Sequence, residues 1–183
     1  MRIKKIMAIL IAAVLIFGLT ACTNNSTGAA TDPASMDIIQ SKIYDTTKDF
    51  LVSEGVGDPD VDYSDGRIPG YFIERLKNGD EQFDTYLQGI GVDPSAVEDF
   101  YQIQSMIMVN ANCVMVLRVN DMAKAKAGLG QFHEGQLKIW ESYLPDQYKK
   151  TQNNVTESTG DYLYYVTSDI QDDILAVIRQ TLK

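Results

Sequence analysis

The hydrophobic period of the chain changes at Phe100, and this change limits the fold more than any other feature. Before it, "MDIIQSKIYDTTKDFLVSEG" brings Ile39, Ile43, Phe50 and Glu54 together on a helical wheel, with Ile38 and Leu51 widening the stripe. That spacing predicts an amphipathic helix, with Asp32 or Ser35 placed to cap it and Gly55 to end it. After the change, "FYQIQSMIMV" alternates, setting Tyr101, Ile103, Ile107 and Val109 against Gln102 and Gln104, the pattern of a half-buried strand. "NAN" at Asn110 to Asn112 predicts a turn, and "CVMVLRV" is apolar on both faces, as a central strand would be. Between the first helix and these strands, "YFIERLKNGDEQFDTYLQGIGVDPSAVEDF" reads as short helical pieces broken at Gly79 and from Gly89 to Pro94.

From Asp121, a predicted N-cap, Ala125, Leu129, Phe132, Gln136, Trp140 and Tyr143 recur at helical spacing until Pro145. Gly128, Gly130 and Gly135 each weaken such a helix by about 1 kcal/mol relative to Ala, so packing has to hold it. A second hairpin turns near Gly160, with Tyr162 to Thr167 as its firmer strand. A closing helix follows, capped by Ser168 or Asp169 and carrying Ile170, Ile174, Val177, Ile178 and Thr181 on one side. The expected fold is α+β: an antiparallel sheet of about four strands in two hairpins, helices on one face, preceded by the N-terminal amphipathic helix.

The N-terminus addresses the chain rather than building the fold. Arg2, Lys4 and Lys5 precede an apolar run from Ile6 to Phe17, the length of a signal-peptide core and shorter than the roughly twenty residues a membrane span needs. "LTAC", Leu19 to Cys22, then resembles the lipobox of bacterial lipoproteins. Residues 1–21 are expected to be a signal peptide and Cys22 the lipidated new N-terminus, held by two acyl chains such as palmitate. Residues 22–35 are a lipidated Cys and a polar, aperiodic tether, thirteen residues of which reach roughly 40 to 45 Å when extended. Residues 36–183 suffice for one α+β domain.

Several motifs, in this order, resemble a family catalogued as a domain of unknown function and common in predicted lipoproteins of low-GC Gram-positive bacteria. They are "YLQGIGVDPSAVEDF", Asn110 ahead of "VMVLRV", "ND" at Asn120 and Asp121, "WESYLPDQYKK" and "GDYLYYVTSD". The resemblance implies an extracytoplasmic, membrane-anchored α+β protein; it carries no activity and no catalytic residues.

Charge and composition narrow the function. The chain has 16 Lys and Arg against 25 Asp and Glu, a net charge of −9, and removal of residues 1–21 takes away three basic residues to leave −12. Such a chain is repelled by phosphate backbones, so nucleic acid is not an expected partner. With Cys22 lipidated, Cys113 stands alone in an apolar strand and reads as a small hydrophobe. His133 is the single histidine, so a Ser-His-Asp or a zinc site lacks members, and no cofactor fingerprint is present: the third Gly of G-x-G-x-x-G would fall at His133.

"GDPDVDYSDG" gathers Asp58, Asp60, Asp62 and Asp65, yet no register sets Gly at position 6 and Glu at position 12 of a calcium loop. It reads as a connecting loop, with cation binding by these four acids as the alternative. Two functions remain. The favoured one is a non-catalytic binding or assembly module at the envelope, whose partner is a protein or wall polymer and whose sign is an exposed subset of Trp140, Tyr143, Tyr148, Tyr162, Tyr164 and Tyr165. The rival is a carboxylate-dependent hydrolase of wall glycan, whose sign is two carboxylates about 5 to 10 Å apart in a groove, one with a raised pKa.

Overall fold

A computed structural model describes residues 34–56, 63 and 65–183. The signal peptide, the lipobox with Cys22, most of the tether, and Asp58, Asp60 and Asp62 lie outside the described residues. The fold is α+β, as the period change predicts, but the sheet has five strands: β1 (Tyr71–Lys77), β2 (Val97–Ser105), β3 (Cys113–Val119), β4 (Val155–Thr159) and β5 (Tyr162–Thr167). They lie in the order β1-β2-β3-β5-β4, and every neighbouring pair is antiparallel.

The additional strand is β1, where the sequence predicts a helical piece. It pairs from Tyr71 opposite Ser105 to Lys77 opposite Asp99, and as an edge strand its residues are mostly half-buried on both faces. That uniform burial removes the alternation by which a strand is recognised.

Helices cover both faces of the sheet rather than one. On the first face, Tyr101, Ile103, Val114, Val116, Tyr162, Tyr164 and Val166 pack against α1 (Ala34–Ser53) and α5 (Gln171–Thr181). On the second, Phe100, Met115, Leu117, Leu163 and Tyr165 pack with α2 (Phe83–Gly89) and α3 (Met122–Glu141). The two-faced apolarity of β3 and β5 thus has its cause in two separate cores. No helix among the described residues is long and apolar enough to cross a membrane.

α1 buries Ile39, Ile43 and Leu51 of its predicted stripe, and Met36 besides, while Phe50 is half-buried and Ile38 and Glu54 are exposed. Asp121 caps α3, its side chain accepting from Lys124 N–H at 3.1 Å. Pro145 does more than stop that helix: it occupies the first turn of a further one, α4 (Pro145–Gln152), where its missing N–H costs nothing. Gly160, at φ +59°, makes the β4–β5 turn. α5 has Ile170 at its N-cap and no side-chain cap; Ser168 instead accepts from Ile170 N–H at 3.2 Å.

Candidate functional site

At Ser105 the strand β2 ends, although its apolar alternation continues to Val109. The chain leaves the sheet through backbone bonds that turn it sharply: Met106 N–H donates to Gly70 at 2.8 Å, and Asn110 N–H donates to Ile107 at 3.0 Å. Ile107 and Val109, expected on the buried face of the strand, therefore sit in an exposed loop with Met106 and Met108, the last 77% exposed. Ile107 leans on Gly70, where φ is +79° and an added Cβ would come within 3.2 Å of its Cδ1.

The last turns of α3 face this loop with exposed Ile139 and Tyr143 and with Trp140, only 7% exposed. Loop and helix enclose a groove of about 220 Å³, lined by Met106, Ile107, Met108, Ala111, Ile139, Trp140 and Tyr143 and by the polar Gln104, Ser105, Asn110 and Gln136. Trp140 and Tyr143 lie with ring centroids 6.1 Å apart. The indole Nε1 of Trp140 is buried and donates to nothing. Contiguous exposed apolar side chains beside a cleft are the usual mark of an interaction surface. Of the six late aromatics, Tyr143 is the exposed one, and Tyr162, Tyr164 and Tyr165 are core.

A polar node holds the loop from behind. Lys150 of α4 lies 2.6 Å from Asp169 Oδ1 and donates to Asn112 Oδ1 at 3.1 Å and to Asn110 Oδ1 at 3.3 Å. Asn112 Nδ2 donates to Asp169 Oδ2 at 2.9 Å and to the Tyr71 hydroxyl at 3.1 Å. Gln147 accepts from Ala111 N–H at 2.9 Å. Burial alone would raise the pKa of Asp169, but hydrogen bonds from Lys150 and Asn112 outweigh it and hold the carboxyl below its usual value. Asn110, the lysine of "YKK" and the aspartate of "TSD", far apart in the chain, thus meet in space. Sequence spacing gives no sign of that meeting; only their shared presence in the family motifs hints at it.

A second cluster lies at the other end of the sheet. Arg75 Nη2 stands 2.5 Å from Asp99 Oδ2 and 3.2 Å from Asp37 Oδ1, and Arg75 Nη1 donates to Gln40 at 3.1 Å. The two carboxylates are therefore within about 6 Å of each other. Burial raises the Asp99 pKa, against the pull of Arg75. Asp37, Gln40, Tyr44 and Tyr101 line a neighbouring cleft that Asp99, its side chain 5% exposed, does not line.

The other sequence candidates are dispersed. Burial pushes the Cys113 thiol up to about 12, which removes it as a nucleophile. His133 Nδ1 lies 3.4 Å from the Tyr165 hydroxyl, a packing contact of α3 on the sheet. Asp65 binds the Arg67 side chain at 2.7 Å. Among the described residues no group of three or more His, Cys, Asp or Glu converges as a metal site would.

A family model described as a domain of unknown function, DUF4358, matches residues 74–168. The match takes in the loop, the groove, α4 and almost the whole sheet, and leaves α1 and α5 outside. No curated protein and no solved structure matches the chain.

Proposed function

The chain belongs to the DUF4358 family, a domain of unknown function, and on that footing we propose that it is a lipid-anchored envelope protein that binds a partner through the loop from Met106 to Asn110 and the end of α3. The observation that carries this reading is the run of four exposed apolar side chains, Met106 to Val109, beside the Trp140 groove. Nothing in the hydrogen bonding of the fold requires apolar residues there: the backbone of the loop is held by Gly70, Ser105, Asn110 and Gln147, and those bonds would serve polar side chains equally. Exposed apolar surface that does not stabilise the monomer gains its use when covered.

The lipid anchor rests on the charged N-terminus, the apolar run and the "LTAC" lipobox, with Cys22 as the acylated residue. Asp37 and Asp99 support a second reading, hydrolysis of wall glycan, because the two carboxylates lie within about 6 Å of each other and one has a raised pKa. Arg75 weighs against it by engaging both carboxylates at once, and Asp99 has no face on the cleft.

The test is cross-linking in cells that express the full chain, a Cys22→Ala variant and a Met108→Asp variant. A partner captured with the native chain and lost with each variant supports the anchored binding module. Capture that ignores both substitutions, or glycan release by purified protein that vanishes in Asp99→Asn, overturns it.

A further inference from the structure

The groove beside Trp140 is uncovered and mainly apolar. Trp140 lines it from a nearly buried position, with Met106, Ile107, Met108, Ile139 and Tyr143 around it. At about 220 Å³ the groove is smaller than the roughly 300–1,000 Å³ of small-molecule pockets. It has room for anchoring side chains rather than for a whole metabolite. It also extends along α3, because Gln136 and Ile139 line both it and the next depression, which holds Ile90 and Phe132. An elongated, shallow, mainly apolar track suits a peptide.

Resting on the binding-module reading, we infer that this groove takes an apolar peptide segment with basic flanks, carried by a partner protein. Met106 and Met108, unbranched and adaptable, supply the kind of surface that fits varied apolar helices. Charge selects the flanks. At net −12 once residues 1–21 are removed, the chain repels a second copy of itself and anionic lipid, and attracts a cationic segment.

In position, the groove is set apart from the start of α1. The tether joins α1 at Ala34, and the first turns of α1 sit on Arg75 and Asp99 through Asp37 and Gln40. The groove lies beyond Ser105, six residues farther along β2, roughly 20 Å by strand rise. The groove thus lies at the end of the sheet opposite the start of α1.

Trp140 is the single tryptophan, so its emission reports on the groove directly. The full chain, reconstituted in phosphatidylcholine vesicles, is titrated with a leucine–lysine helical peptide of about four turns and with its leucine–glutamate twin. The expected result is a saturable blue shift, at least about tenfold tighter for the lysine peptide, and weakened about tenfold or more by Met108→Asp, whose exposed position spares the fold. Absence of a shift, or equal binding of the twin, overturns the inference. So does a shift without peptide, whether on raising protein density, which means a second copy, or on adding phosphatidylglycerol, which means the membrane. If the peptide fails while capture in cells still depends on Met108, the binding module stands and only the peptide chemistry falls.

Discussion

Asn112 and Asp169, 57 residues apart, grip each other twice: the amide of Asn112 donates to the carboxylate at 2.9 Å, and the backbone N–H of Asp169 donates to the amide oxygen at 3.2 Å. Because Asn112 is only 6% exposed, Asn112→Ala leaves the Asp169 amide and Lys150 short of an acceptor. The expected loss is about 2–3 kcal/mol, read by chemical denaturation. A variant within about 0.5 kcal/mol of the native chain would show that the node does not hold the fold.

The same node sets an acid limit. The folded pKa of Asp169 is lowered, so its contribution is present above the ordinary Asp value near 4 and is lost as pH falls through the folded value. Asp99, raised by burial, acts in the opposite sense, so the comparison is made against Asp169→Asn rather than on the native chain alone. The stability gap between the two should be steady at neutral pH and narrow as pH falls below about 4. A gap of the same size at pH 7 and at pH 3 refutes the assignment.

Two glycines of α3 should respond with opposite signs. A Cβ on Gly128 would come 2.7 Å from Gly91 O and 2.8 Å from Val92 Cα, both backbone atoms, so Gly128→Ala forces α3 off the turn after α2. A Cβ on Gly130 meets nothing within 4 Å, and Gly130→Ala should stabilise by about 0.5–1 kcal/mol. Melting temperatures that move in the same direction for both would contradict this packing.

Thiol labelling separates the two cysteines. Cys113 is buried with its thiol pushed up to about 12, so native protein at pH 8 should leave it unmodified. In denaturant one thiol should react if Cys22 carries lipid and two if it does not. Rapid native labelling of Cys113 would mean that the sheet opens.

What the sequence discloses follows from where each residue's burial comes from. α3 and α5 are legible because each presents an apolar face to one core at the helical period, and β3 and β5 because two cores bury them on both faces and leave an unbroken apolar run. β1 is not, since Glu74, Arg75 and Lys77 on a half-covered edge give a helix-like mixture of charge and apolar residues. α4 begins at the proline that reads as a stop, and its polar sequence carries no stripe. Ile107 and Val109 keep the strand rhythm although the pairing ends at Ser105. Rhythm cannot report where a backbone bond to Gly70 diverts the chain. The groove is half legible: Trp140 and Tyr143 stand among the marked aromatics, while the alternation places Ile107 and Val109, of the loop that completes the groove, on the apolar face of a strand.

The strand order carries a consequence for how the molecule comes together. β1, β2 and β3 form one run of neighbours, β4 and β5 a hairpin, and the two meet along a single seam where β3 pairs with β5. That seam closes a connection from Val119 to Tyr162, while each other pairing closes a shorter one. By loop-closure entropy the seam should zip late. Asn112 and Asp169 stand at its Cys113–Thr167 end like a clasp, fastened after the two pieces of cloth have been brought edge to edge. Halves made separately, divided near Asn153, would find each other along that edge and through the packing of α5 on α1.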